Sequence, residues 1–419
     1  MKATILLGLL ACAAHAQSTI PERTLGAPTV VGNESFQNIA SVRELSDGKV
    51  IVVQSGPPNA MARSVITAMA ARLGRGGRGG RGSAALDSLA SPPPRRVARV
   101  VMLDASLATA TPIGQAGTGP GEYGEPEALV AGVRDTTLLI DVSRGDLPVI
   151  DPTGKIVASK TTSVPQIGIF ALVGGLAVDH TGRLLYMAHL QDQRSSAVGM
   201  EIVTPDTAPI MAFDFKTGGT IPVAQLHVEQ ASAVMGTDST KPGTMSMHVK
   251  TFPFPTIDDW VAMPDGTLAI IRGADLHVDW IAPNGKVRST PPIRYAKVAV
   301  TDSDKVKFRT LHSMNSDSLP MMPRNISMTQ AEPESWPEFK PPFSARGAKA
   351  APDGTIWIPA HIISPDVKEG YDVIGPDGRV RERIHLAKGQ RLLGFGKGVV
   401  YVAVNEGPRD NRVARVALH

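Results

Sequence analysis

Cysteine is almost absent. The chain carries one, Cys12, so no disulfide can form within it, and beyond that position neither thiol catalysis nor a cysteine metal set is available. Long hydrophobic runs are missing too. The run over residues 3–14, interrupted by Thr4, falls well short of the roughly 20 apolar residues that a helix needs to span a bilayer. Motifs of common catalytic classes are likewise missing. There is no His-Glu-x-x-His, Gly-x-Ser-x-Gly, Asp-x-Asp-x-Asp or Walker sequence, which removes the sequence-level case for zincins, α/β-hydrolases, EF-hand calcium sites and P-loop enzymes.

What the chain has is turns. Its 419 residues include 41 glycines and 34 prolines with 42% hydrophobic residues, a composition that can bury a core but favours many reversals over long helices. The amino-terminal residues read as an export leader over 1–16, with Lys2 as the positive end, an apolar centre, and Ala14-His15-Ala16 as the cleavage site before Gln17. Cleavage there gives a periplasmic or extracellular chain without cysteine. The alternative takes Leu9-Leu10-Ala11-Cys12 as a lipobox, with the protein anchored by a lipid on Cys12.

Charge is unevenly spread. The formal net charge is +4, yet residues 60–99 hold eight arginines against the single Asp87, so the basic character belongs to that stretch and not to the rest of the chain. Within it, residues 72–83 are a flexible Arg/Gly-rich loop. Such tracts can bind RNA, but in an exported chain a solvated loop is the expectation, without nucleic acid as a partner.

Internal repeats carry the fold reading. Asp265-Gly266 and Asp353-Gly354 stand before apolar strands in nearly identical contexts, and related turns occur at Asp47-Gly48, Thr181-Gly182 and Lys397-Gly398, with a degenerate sixth at Asp135-Thr136. Asp-Gly between β-branched runs marks a hairpin, because glycine tolerates the positive φ of the turn. A second series, at Thr153-Gly154, Asn284-Gly285 and Asp377-Gly378, follows within the units. Two hairpins per unit make four antiparallel strands, and the expectation is an all-β single six-bladed β-propeller over residues 17–419. The last unit ends one strand short, and the surplus strand at 24–31 is expected to pair with 413–418 and close the ring. Three insertions, at about 55–96, 218–256 and 294–346, are expected to be short, helical or irregular. Met61, Val65, Met69 and Leu73 suit one helix, a second is capped at Thr301 and runs to about Met314, and residues 333–342 form a Pro-rich strap suited to a partner.

The stretch from Ile113 to Tyr123, glycine at positions 114, 117, 119 and 121 and followed by Pro126, resembles the connector between blades in NHL-like and TolB-like six-bladed propellers of exported bacterial proteins. The resemblance implies the fold and leaves the function open, since propellers host unrelated activities. Aligning the units places one polar residue six or seven positions beyond each first turn: Gln54, Asp141, His189, Arg272, His361 and Asn405. They are the candidate ligand-binding ring at the channel mouth, on the face opposite the Asp-Gly turns. His189, His361 and Asp141 are the candidates should a divalent metal be held; otherwise no cofactor is expected. The functional expectation is a monomeric, non-enzymatic binding or scaffold module for an envelope protein, peptide or glycan. The alternative is a metal-dependent hydrolase, lactonase or lyase at the channel mouth, as in gluconolactonase-like and peptidyl-amide lyase-like propellers, although the calcium or three-histidine sets of such enzymes have no obvious counterpart here.

Overall fold

In the computed structural model the described residues are 20–56, 98–164, 175–188, 192–196, 199–237, 245–312, 326–360, 369–407 and 410–418. The leader, the Arg/Gly-rich loop and the stripe from Met61 to Leu73 lie outside them.

The repeated turns set the frame. Gly48, Gly182, Gly266, Gly354 and Gly398 all take φ between +71° and +86°, a region that side chains with a Cβ avoid. The preceding acidic residue locks the reversal. Asp265 Oδ1 accepts from the Thr267 N–H at 2.9 Å and Asp353 Oδ1 from that of Thr355 at 3.0 Å, the local bond that makes Asp a turn residue. In the degenerate unit, Arg134 and Asp135 themselves take positive φ, 53° and 59°. Asp135 is then free to reach sideways, binding Arg43 at 2.8 Å and the Ser46 N–H at 2.9 Å.

Almost everything between the turns is strand, gathered into many small sheets. Six of them follow the chain in order, each built on three or four antiparallel strands, and the amino-terminal segment adds one strand to the fifth and one to the sixth. The first holds Ile39–Glu44, Val50–Gln54, Arg99–Leu103 and Ala110–Pro112. The second holds Pro126–Ala131, Thr137–Asp141, Asp146–Ile150 and Ile156–Thr161. The third holds Leu176–Val178, Leu184–Met187, Thr207–Phe213 and Thr220–His227. The fourth holds Asp259–Ala262, Leu268–Arg272, His277–Ile281 and Val287–Ser289. The fifth holds Lys349–Ala350, Ile356–Pro359, Gly370–Ile374 and Val380–His385. The sixth holds Gln390–Gly396, Val399–Gly407 and Asp410–Ala417.

Its fourth strand comes from the other end of the chain. Val30–Val31 lies antiparallel to the last strand, Val30 opposite Arg415 and Val31 opposite Ala414. The residues before it go elsewhere: Glu22–Thr24 runs parallel to Val380–His385 on the outer edge of the fifth sheet. The amino-terminal segment therefore ties two neighbouring sheets.

Packing explains why the second strands read as unbroken apolar runs. Val50 and Val52 pack towards the sixth sheet with Tyr401 and Val413, whereas Ile51 and Val53 pack towards the second with Tyr123 and Leu139. Both faces of the strand are covered, so no alternation with polar residues survives. Further clusters join second to third, third to fourth, fourth to fifth and fifth to sixth sheets. This succession of small sheets, each packed between two others, is consistent with a β-propeller.

Of the expected insertions, 55–96 lies almost wholly outside the described residues. Strands from within the other two, Ala231–Thr237, Met245–Thr251 and Ile326–Gln330, join Asp192–Ser196 and Gly199–Thr204, which lie outside all three, in an appended five-stranded sheet. Ile326–Gln330 joins in parallel, across a long sequence separation. The stretch 218–256 opens with a strand of the third sheet, Thr220–His227. The helix expected after Thr301 is present as Asp302–His312, with Thr301 and Asp304 bonding reciprocally at its start. Its Phe308 meets Trp336 of the Pro-rich strap edge-on, centroids 5.4 Å apart, and Asp304 binds Lys340 at 2.8 Å, so the strap lies on the helix.

Candidate functional site

The first strands of all six sheets surround a cavity of about 810 Å³, lined among others by Ser41, Leu129, Leu176, Trp260, Lys349 and Leu393. It reaches the Asp-Gly turns at Asp179, His180 and Gly266. Apolar residues make up most of its lining, with Ser41, Arg134, Asp179, His180 and Lys349 as the polar side chains that could fix orientation.

Lys349 is the chief of these. A first strand packed on both faces has little room for a charge, and Lys349 sits there half-buried, its ammonium without a hydrogen bond or salt bridge among the described residues, while burial pushes its pKa down. Arg391 adds to that fall, and Asp259 and Glu369 oppose it. Each neighbour is differently engaged. The Asp259 carboxylate accepts the N–H groups of Gly347 and Ala348, both at 3.0 Å, and burial pushes its pKa up against those donors. Arg391 donates to the Ile39 carbonyl at 2.6 Å. Tyr371 is raised by burial and then by Glu369, to which its hydroxyl bonds. The other carboxyl oxygen of Glu369, Oε2, is buried with no partner.

An unpaired ammonium and an unpaired carboxyl oxygen thus stand in one electrostatic cluster without meeting. Buried polar atoms normally find partners. Of these two groups only Lys349 lines the cavity, where it can meet a ligand that presents an acceptor.

The residues singled out by the unit alignment stand elsewhere. Gln54 and Asp141 end the second strands of their sheets, Arg272 likewise, and Asn405 lies within the second strand of the sixth. Gln54, Asp141 and Arg272 each tie down the chain as it enters their own sheet. Gln54 Oε1 accepts from the Gln37 N–H at 3.0 Å. Asp141, fully buried, accepts from the N–H groups of Gly124 at 2.6 Å, Glu125 at 2.9 Å and Ser143 at 3.0 Å. Arg272 binds Asp258 and Asp279, each at 2.7 Å. The Asn405 N–H donates to the Gly389 carbonyl at 3.1 Å, and the side chain is exposed. None of the four lines the cavity. His189 and His361 lie outside the described residues. Both oxygens of Asp141 are already held by N–H donors, and among the described residues no three His, Cys, Asp or Glu gather as a metal set.

One further acid stands out. Glu127, on the first strand of the second sheet, has its pKa pushed up from 4.5 to about 7 by burial and then by Glu125 and Asp141. The alignment by turns looked only at second strands and so passed over Glu127, Lys349 and Arg391. The signal for them was a charge inside an otherwise apolar strand.

No family model matches the chain, and no curated protein matches it. Among solved structures it is similar to virginiamycin B lyase from Staphylococcus aureus, 9% identical over 94% of this chain and 99% of that one with a TM-score of 0.40. It is similar also to a gluconolactonase from Xanthomonas campestris, 8% identical over 94% and 99% with a TM-score of 0.34. A member of the DUF4221 family from Bacteroides vulgatus is 10% identical over 95% and 96% with a TM-score of 0.44. These are propeller-type folds; at such identities and scores they say nothing of this chain's chemistry. No helix among the described residues is long and apolar enough to cross a membrane.

Proposed function

We propose that the chain is an exported, monomeric six-bladed propeller, closed by its amino-terminal strand after removal of a leader near Ala16, that works as a non-enzymatic binding module. It takes the acidic end of an envelope glycan or peptide into its central channel. The observation that carries this reading is Lys349, a half-buried ammonium with no side-chain partner among the described residues, in the wall of a cavity formed by six first strands. A carboxylate beside Lys349 supplies the partner that its ammonium lacks. In a partly dry channel such charge-assisted bonds are shorter and stronger than neutral ones.

Thermal shift with a panel of galacturonate, glutamate and lactate tests it. At least one should raise the melting temperature of the purified chain and leave the Lys349→Met variant unmoved. Absence of any shift in the parent, or an equal shift in the variant, contradicts the reading.

The rival, a hydrolase, lactonase or lyase at the channel mouth, draws on Glu127, whose pKa near 7 suits proton transfer at neutral pH. Turnover of a simple lactone or aryl ester that disappears in Glu127→Gln would favour it.

A further inference from the structure

The appended sheet aligns methionines. Met200 stands opposite Met235 on the neighbouring strand, and Met235 opposite Met247 on the next. The register continues to Met328 on Ile326–Gln330. Residues directly opposite in a sheet share a face, with Cβ atoms about 5 Å apart. The thioethers of Met200, Met235 and Met247 therefore form one row across three adjacent strands.

The two faces of this sheet differ in chemistry. Ile202, Ala233 and Val249 make the next row on the methionine face. The opposite face carries Glu201, His248 and Lys250, with His248 bonded to Thr329 at 2.6 Å. Met235, at the centre of the row, is 4% exposed, and its two flanking methionines are half-buried. The methionine row is thus partly dry, flexible in its side chains and free of carboxylates.

Soft thioethers bind soft cations, copper(I) above all, and leave hard ions such as magnesium and calcium to oxygen ligands. Unbranched side chains about 5 Å apart can lean inwards from both flanks towards an ion above the middle one. We propose that Met200, Met235 and Met247 form a binding site for copper(I), with silver(I) as its redox-inert counterpart. The donors are neutral and carry no proton to lose, so binding by them is independent of pH, unlike binding by histidine or thiolate. Simple apolar packing is the competing explanation of the row, and leucine would serve that purpose equally well.

The test uses the full chain carrying Cys12→Ser, which removes its one thiol. Silver(I) retained after desalting is measured at pH 5.5 and pH 7.5, and methionine ε-methyl resonances are followed during titration. The expected result is one silver ion per chain at both pH values, with shifts centred on Met200, Met235 and Met247. Met235→Leu and Met247→Leu, which conserve volume, should each lower affinity at least tenfold. The proposal is overturned if no silver is retained, if other methyl groups shift instead, or if the leucine variants bind as well as the parent. Should those variants lose stability, the ε-methyl shifts in the unsubstituted sheet decide the matter. The channel reading plays no part in this outcome.

Discussion

Asp141 shows how one buried carboxylate can hold a connector. Its oxygens accept three N–H groups from Gly124, Glu125 and Ser143, and nothing replaces them if the side chain is removed. Leaving buried donors unpaired costs about 1–3 kcal/mol each, so Asp141→Ala should lower unfolding free energy by about 3 kcal/mol in denaturant titration; a change below about 1 kcal/mol would mean water or neighbours take over. Glu127 gives the opposite sign of dependence from an ordinary paired acid. Its folded pKa is about 7 against 4.5 ordinarily, so the fold binds the proton more tightly than the unfolded chain does. The stability from that protonated state is present below pH 4.5 and is lost as pH rises towards 7. Melting curves should therefore show Glu127→Gln gaining on the parent between pH 5 and pH 8, and parallel curves would refute the assignment. The polar residues Gln54, Asp141 and Arg272 at the ends of their second strands were legible in the sequence because the turns index them. Their partners were not, since Gln37, Gly124 and Asp258 precede the first strand and meet them only when the hairpin closes.

At the scale of elements, legibility followed turn chemistry. The Asp-Gly hairpins could be placed because an acceptor two residues before an N–H and a glycine of positive φ act locally. The appended sheet could not. Its first hairpin turns around Ser196 and Gly199 without an Asp-Gly signal, and the strand Ile326–Gln330 pairs with Met245–Thr251 only through tertiary contact. The amino-terminal segment is the most consequential element. It covers the edge strands Val380–His385 and Asp410–Ala417 at once, and exposed edges invite mispairing. Deleting residues 20–32 should lower the melting temperature by at least about 5 °C and promote aggregation. Deleting residues 74–82 should change neither. A thermally silent first deletion would show that this segment holds nothing together.

For the whole molecule, the informative conflict lies between stability and the site. Six sheets share their cores with both neighbours, so every first strand is pressed between two others and a lysine there works against folding. A half-buried ammonium without a bonded carboxylate is retained at a cost in stability, and sites that carry such a cost are characteristically those that bind. Sequence reading reached the succession of hairpins but not Lys349, because its burial is a property of the assembled sheets rather than of its neighbours in the chain. The melting temperature of Lys349→Met in the full chain without added ligand tests the central claim most directly. A rise of about 2 °C or more is expected, since the substitution removes an unpaired charge and keeps the apolar stem. A fall would contradict that claim and make Lys349 a structural residue of the propeller wall.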